Sequence, residues 1–542
     1  MSRAFRWCSL AMLALMLSAH AEEQSSSEKP KNDDGKSEEA KAEHFAPEEH
    51  ATTGSVVIGG RKVEYQAIAG TLVIHPKGWD DVPQNLSKEQ KENPTEASMF
   101  FVAYFARGEN SASRPLTFVY NGGPGSASLW LHMGAFGPRR VITADDAHTP
   151  PPSYHLANNE YSLLDASDLV FIDAPGAGLS RIAGKNREKA FWGVDADAEA
   201  FANFVTQFLT KYSRWNSPKY LFGESYGTTR SAALANLLET QRYVDLNGVM
   251  LLSQILAFDA SADAPEANPG VDLPYELALP TYAATAWFHH KLENAPATLE
   301  GLLPEVESFA LGEYADALAA GSTLDASRKH AVAQKLHEYT GLPVDYLEKA
   351  DLRVNVGEFD KTLQDSSDTT TGRIDTRYTG PTMDPLSQQA AYDPLIAGIG
   401  SAFTALFNDY LRNQLQFRTD RPVKLFADVE KDWNFQHQPP GSSQPIPQTT
   451  NVMPDLAHAM KYNPQLKIQL NAGYFDLATP FFEGMYEMQH LQIPPSLQKN
   501  IEYRFYQSGH MVYLHEPSLK ALHENAADFI RRTSTPHGKA GS

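Results

Sequence analysis

Residues 219–234 read KYLFGESYGTTRSAAL, an apolar run that breaks at Gly-Glu-Ser-Tyr-Gly and resumes as an alanine-rich stretch of helical periodicity. Tyr220, Leu221 and Phe222 have the character of a short buried strand, and residues 228–240 carry helix formers with apolar positions three and four apart. A strand that turns this sharply into a helix needs unusual backbone angles at the corner, which Gly223 and Gly227 on either side of Ser225 allow. The side chain at such a corner stands clear of the sheet end, so Ser225 is a candidate nucleophile. Gly-x-Ser-x-Gly alone recurs by chance in long chains, and the surrounding organisation has to decide.

That organisation alternates strands with helices. Residues 55–74 show β-branched, alternating runs broken by Gly59-Gly60, as in hairpin strands. Strands are also expected at 98–105 and 116–120, and DLVFID at 168–173 is an apolar run bounded by turn residues. Residues 195–215 place Ala198, Phe201, Phe204, Val205, Phe208 and Leu209 at helical spacing and lead into the strand before Ser225. After a strand at 248–255 the alternation stops, and residues 274–417 are mainly helical in pattern. Strand signals return at 466–470 and 502–506, and a helix at 517–531 closes the chain; no internal repeat is present. The layout predicts an α/β-hydrolase fold, with a mixed central sheet flanked by helices and a mainly helical cap inserted after the elbow. The expected boundaries are a leader (1–21), an acidic disordered linker (22–53), core segments at 54–258 and 441–532 around a cap at 259–440, and a flexible tail (533–542).

Composition limits what such a core can act on. With 542 residues, 42% of them hydrophobic, the chain can bury a large core, and its net charge of −20 argues against a nucleic-acid partner. Arg3 and Arg6, the apolar run at 10–17 and Ala19-His20-Ala21 match a secretory signal peptide, its apolar run too short to span a bilayer. Cys8, the only cysteine, lies inside that leader, so a mature chain would carry none. Export without a disulfide framework favours a periplasm over the extracellular medium. Residues 22–50, rich in Glu, Lys, Ser and Asp, have too little apolar surface to offset the entropy of ordering.

A serine hydroxyl is a weak nucleophile at neutral pH and needs an imidazole base, itself oriented by a carboxylate. On this fold the chain order is Ser, then Asp or Glu, then His. NAGYFDLATP places Asp476 in a turn after a strand, and YQSGHMVYLHEP places His510 likewise. FVYNGGPGSAS carries Asn121-Gly122-Gly123-Pro124-Gly125 after a third strand, and backbone amides free of side chains can approach a developing oxyanion. Each of these is a common turn feature when taken singly. His289-His290 lacks the companions of a metal site, and neither metal nor cofactor is expected.

With these four motifs in this order, the chain resembles the serine carboxypeptidase family: Asn121–Gly125, Gly223–Gly227, Ala472–Asp476 and Gly509–Val512. The resemblance implies an exopeptidase acting on peptides with a free C terminus, with Ser225 as nucleophile, His510 as base and Asp476 as its orienter. It implies an oxyanion hole from the amides of Gly123 and Tyr226, and recognition of the substrate α-carboxylate by Asn121 and Glu224. A neutral Glu224 in a dry cleft could donate a hydrogen bond to that carboxylate, whereas an ionised one would repel it. The chain departs from the family pattern at Ala135, where a second Glu is usual, at Val119 and Ser126, at Ser253-Gln254-Ile255, and in the short loop from Asp173 to Ser180. These changes touch pocket walls more than the triad. An esterase or acyltransferase on the same triad, and a noncatalytic binding protein on the same scaffold, remain alternatives.

Overall fold

The computed structural model describes residues 44–108 and 113–534. A ten-stranded sheet runs through it, built from β1 (Glu49–Ile58), β2 (Arg61–Ile74), β3 (Glu96–Ala106), β4 (Leu116–Tyr120), β5 (Asp168–Ile172), β6 (Arg181–Ala183), β7 (Lys219–Ser225), β8 (Gly248–Gln254), β9 (Lys467–Gly473) and β10 (Ile501–Tyr506). The spatial order is β1-β2-β3-β5-β4-β7-β8-β9-β10, with β6 beside β3. β1, β2, β3 and β5 are antiparallel neighbours, and from β5 onward each pairing is parallel.

The central parallel strands β4, β5 and β8 are largely apolar because both their faces are covered, whereas β9 and the edge strand β10 carry polar residues among the apolar ones. Alternate residues point to opposite layers. Val119, Phe171, Phe222 and Leu252 join one core with Trp130 and Phe529. Phe118, Val170, Leu221 and Leu251 join the other, against Phe201 and Phe204 of α1 (Val194–Lys211) and Leu234 and Leu238 of α2 (Tyr226–Gln241).

A third core belongs to the insertion. Helices from α3 (Leu273–Phe288) to Val356–Thr362 bury Leu277, Val306, Leu336 and Phe359 together with Phe475, Phe481 and Phe482 from the chain after β9. The cap is therefore packed directly onto the loop that carries Asp476. One part of the expected cap behaves differently. α4 (Pro394–Asn413) buries Leu395, Ile399, Phe403, Phe407 and Tyr410 in the first sheet layer, because its apolar residues recur at helical spacing along one face. It is a core helix that the chain reaches only after building the cap.

The linker expected at 22–53 also differs at its end. Residues 49–53 belong to β1 and pair with residues 66–70 of β2. Their side chains face solvent on an edge strand, so their composition reads as solvated although the backbone is paired. The leader, most of the linker and residues 535–542 of the tail lie outside the described residues. Among the described residues no helix is long and apolar enough to cross a membrane.

Between α4 and β9 the chain returns across the core, making isolated bridges from Lys424 to Gly178, Phe426 to Ser126 and Asn434 to Gly193. It is pinned at His437, whose Nδ1 meets Asp195 Oδ1 at 2.5 Å and whose Nε2 meets Asp455 Oδ2 at 2.7 Å. Burial pulls this imidazole down, but the two carboxylates outweigh it and carry the pKa up to about 9. A raised pKa adds stability that is complete below the unfolded value of about 6.5 and is lost as pH rises through about 9. His437→Ala should therefore cost about 3 kcal/mol at pH 6, because it leaves two carboxylates without their cation. The gap to the wild type should narrow by pH 9.5. Urea unfolding at both pH values measures this, and a gap unchanged by pH would contradict it.

Candidate active site

The carboxyl ends of the parallel strands lie at one edge of the sheet, and each carries a singled-out residue. Asn121 follows β4, Ser225 ends β7, Asp476 follows β9 and His510 follows β10. Residues far apart in the chain meet there because β9 and β10 of the second core segment extend the sheet in parallel beside β8.

Ser225 has φ 60° and ψ −132°, a combination that L residues rarely adopt and that costs on the order of 1–3 kcal/mol. It is the last residue of β7 and the residue on which α2 starts, and its hydroxyl caps no helix amide. The neighbouring Tyr226 N–H is one of the amides that a helix N-terminus leaves without an intrahelical partner. The glycine loop presses against this corner. A Cβ built on Gly122 would lie 2.4 Å from Tyr226 N, 2.5 Å from Gly227 N and 2.7 Å from Glu224 O, so only glycine lets the two backbones approach this closely. That approach puts the Gly123 and Tyr226 segments side by side. Asp173 anchors the far end of the loop, accepting from the N–H and Oγ of Ser128 at 2.8 Å each and from Leu179 N at 2.9 Å.

His510 and Asp476 are brought together and buried. His510 Nδ1 lies 2.8 Å from Asp476 Oδ2. Asp476 is held in turn by Ala478 N at 2.8 Å, Thr479 N at 3.0 Å and Thr479 Oγ1 at 2.8 Å. With Nδ1–H donated to Asp476, His510 Nε2 is left with its lone pair. Burial would lower the His510 pKa, but the Asp476 charge and hydrogen bond, with Glu224, raise it despite Arg373. The His510 backbone is fixed from two sides: its N–H donates to Ile374 O at 2.7 Å, and Ser253 Oγ donates to its carbonyl at 2.7 Å. Among the described residues no hydrogen bond joins Ser225 to His510; such contacts often tighten only when substrate is bound.

Asn121 and Glu224 also converge. Asn121 Oδ1 accepts from Leu131 N at 3.2 Å, which turns its NH2 group away from Leu131. Arg230, paired with Asp197 at 2.6 Å in the core, holds the Asn121 carbonyl at 2.8 Å. Glu224 is 4% exposed, and its Oε2 has no hydrogen-bond partner. Burial pushes its pKa up to about 7, although His510, Tyr513 and Asn121 each favour the charged form. Ala135 is fully buried and brings no second acid. Among the described residues no group of His, Cys, Asp and Glu is arranged to hold a metal ion.

Residues 89–264 match the family model described as serine carboxypeptidase. Over that segment the chain is similar to the serine carboxypeptidases. The matched segment contains Asn121, Gly123, Glu224, Ser225 and Tyr226 and ends before Asp476 and His510. Serine carboxypeptidase-like 33 of Arabidopsis thaliana is 30% identical over 148 residues, covering 26% of this chain and 28% of that protein. Pheromone-processing carboxypeptidase KEX1 of Yarrowia lipolytica is 31% identical over 141 residues, 26% of this chain and 21% of that one. The chain thus aligns with less than a third of the length of either. The crystal structure of KEX1(DELTA)P, a prohormone-processing carboxypeptidase from Saccharomyces cerevisiae, superposes with a TM-score of 0.52 at 15% identity, covering 86% of this chain and 91% of that one. At that identity the likeness is one of fold, and the fold is that of the α/β-hydrolases.

Several residues in the site escaped the sequence reading. Thr479 had a signal, since Asp-x-x-Thr in DLATP is a local side-chain-to-backbone motif. Ser253 stood in a segment noted only as a departure from the family. Arg230 and Tyr513 had none, because their roles depend on contacts with distant segments.

Proposed function

We propose that this chain is a serine-type carboxypeptidase that removes the C-terminal residue of peptides through an acyl-enzyme. Ser225 Oγ attacks the scissile carbonyl carbon while His510 Nε2 takes its proton, and Asp476 holds the imidazole in the tautomer that can accept it. The oxyanion receives the N–H groups of Gly123 and Tyr226. Collapse breaks the C–N bond, and the departing amino acid leaves with the proton from His510. Water then attacks the acyl carbon while His510 Nε2 takes its proton, and the C–O bond to Ser225 breaks as His510 returns that proton to Oγ.

The observation that carries the choice of an exopeptidase is Glu224, a buried carboxyl next to the nucleophile with one oxygen lacking a partner. A buried polar atom left open in this way suits an incoming polar group. Protonated, Glu224 can donate to a substrate α-carboxylate, with the Asn121 amide as second donor.

The test compares blocked dipeptides ending in a free acid, an amide and an ester across pH. For the acid, kcat/KM should fall as pH rises through about 7, where Glu224 loses its proton. It should also fall on the acid side, where His510 becomes charged. The amide and ester should lack the alkaline limb. Glu224→Gln should flatten that limb for the acid, because an amide donates at any pH. Equal turnover of all three substrates with identical profiles would remove the exopeptidase reading and leave the esterase or acyltransferase.

A further inference from the structure

Tyr513 lies three residues after His510, in the short turn Val512–Leu514, and its ring fills space that the facing segment leaves open. A Cβ built on Gly134 would lie 2.6 Å from Tyr513 Cε2 and 3.3 Å from Phe403 Cζ, so a side chain at 134 would displace the ring. Next to it, Ala135 presents only a methyl group. With Gly134 leaving room for the ring, the phenol of Tyr513 reaches Glu224 Oε1 at 3.4 Å. The ring is buried, at 3% exposure. Burial and the facing Glu224 keep the phenol protonated, so it acts as a donor.

We propose that Tyr513 is a specificity-determining partner of Glu224: its O–H holds Oε1 and leaves Oε2 directed at the substrate's α-carboxylate. The inference rests on the carboxypeptidase reading above. The base and the reader of the substrate's end are then positioned by one loop, since His510 and Tyr513 lie three residues apart in the segment after β10. A phenol is a different partner from a second carboxyl group. It gives Glu224 one fixed donor and does not share or compete for the proton on Oε2. The remaining groups whose charge bears on Glu224 are His510, which favours the ionised form, and Asp476, which opposes it, while the neutral Asn121 amide also favours ionisation.

Tyr513→Phe keeps the ring over Gly134 and removes only the donor. The hydrogen bond favours the ionised carboxyl, so without it Glu224 should keep its proton to higher pH. The alkaline limb for the blocked dipeptide acid should move up by about half a pH unit, and KM for the acid should rise more than kcat falls, because Oε2 is less well directed. The ester should show no such shift. In a Glu224→Gln background, adding Tyr513→Phe should leave the profile where Glu224→Gln alone puts it. Gly134→Ala provides a second probe, since crowding the ring should raise KM for the acid without affecting the choice of nucleophile. A wild type that prefers free acids, with Tyr513→Phe and Gly134→Ala both leaving the limb and KM in place, would overturn the role of Tyr513 alone. A wild type indifferent to the C-terminal group would overturn the carboxypeptidase reading as well.

Discussion

Ser225→Ala is expected to lower kcat by on the order of 10⁴-fold or more while leaving the unfolding midpoint unchanged. The hydroxyl caps no helix amide, so its removal breaks no structural bond of the elbow. The strained backbone at φ 60° is the same for alanine, so the strain does not change. His510→Ala should lose about as much activity, because a nucleophile and its general base act as a unit. A fluorophosphonate should label the wild type at Ser225 and leave the variant unlabelled. Full turnover by a folded Ser225→Ala protein would end the assignment of the nucleophile.

Gly122→Ala is expected to cost on the order of 10²–10³-fold in kcat, the loss seen when one oxyanion donor is withdrawn. The added methyl would lie 2.4 Å from Tyr226 N and 2.7 Å from Glu224 O, both backbone atoms that cannot swing aside. The loop must back away from the elbow, taking the Gly123 amide with it. Overpacking should also cost about 1–3 kcal/mol of stability. Gly312→Ala serves as a control, since nothing lies within 4 Å of its added Cβ. Steady-state kinetics and urea unfolding of both variants measure the difference. A Gly122→Ala enzyme with the kcat of the control would separate the glycine loop from the oxyanion.

The elbow could be read in advance because its signal is local. A strand pattern, a glycine-flanked serine and a helix pattern occupy sixteen consecutive residues, and they fold as β7, Ser225 and α2. The parallel strands were legible for a similar reason, since burial on both faces writes itself as an unbroken apolar run in Asp168–Ile172 and Gly248–Gln254. β1 was harder. Its residues 49–53 carry exposed side chains, and backbone pairing with β2 leaves no mark in side-chain composition. α4 has a clear helical pattern, but periodicity only says that one face is buried and is silent about which surface buries it.

For the site, the sequence by itself determined which groups could do chemistry and in what chain order: Ser225, Asp476 and His510, with glycines before them and a carboxyl at Glu224. Only the tertiary structure decided how those groups are held and what charge they carry. Glu224 is pushed up to about 7 because the fold buries it, and no neighbour in sequence reports that burial. Tyr513 meets Glu224 across 289 positions of chain because β7 and the loop after β10 open onto the same sheet edge. Local patterns are set by bonds and rotamers within a few residues. Proton affinities and hydrogen-bond partners are set by whatever packing brings within a few ångströms, and that depends on the whole chain.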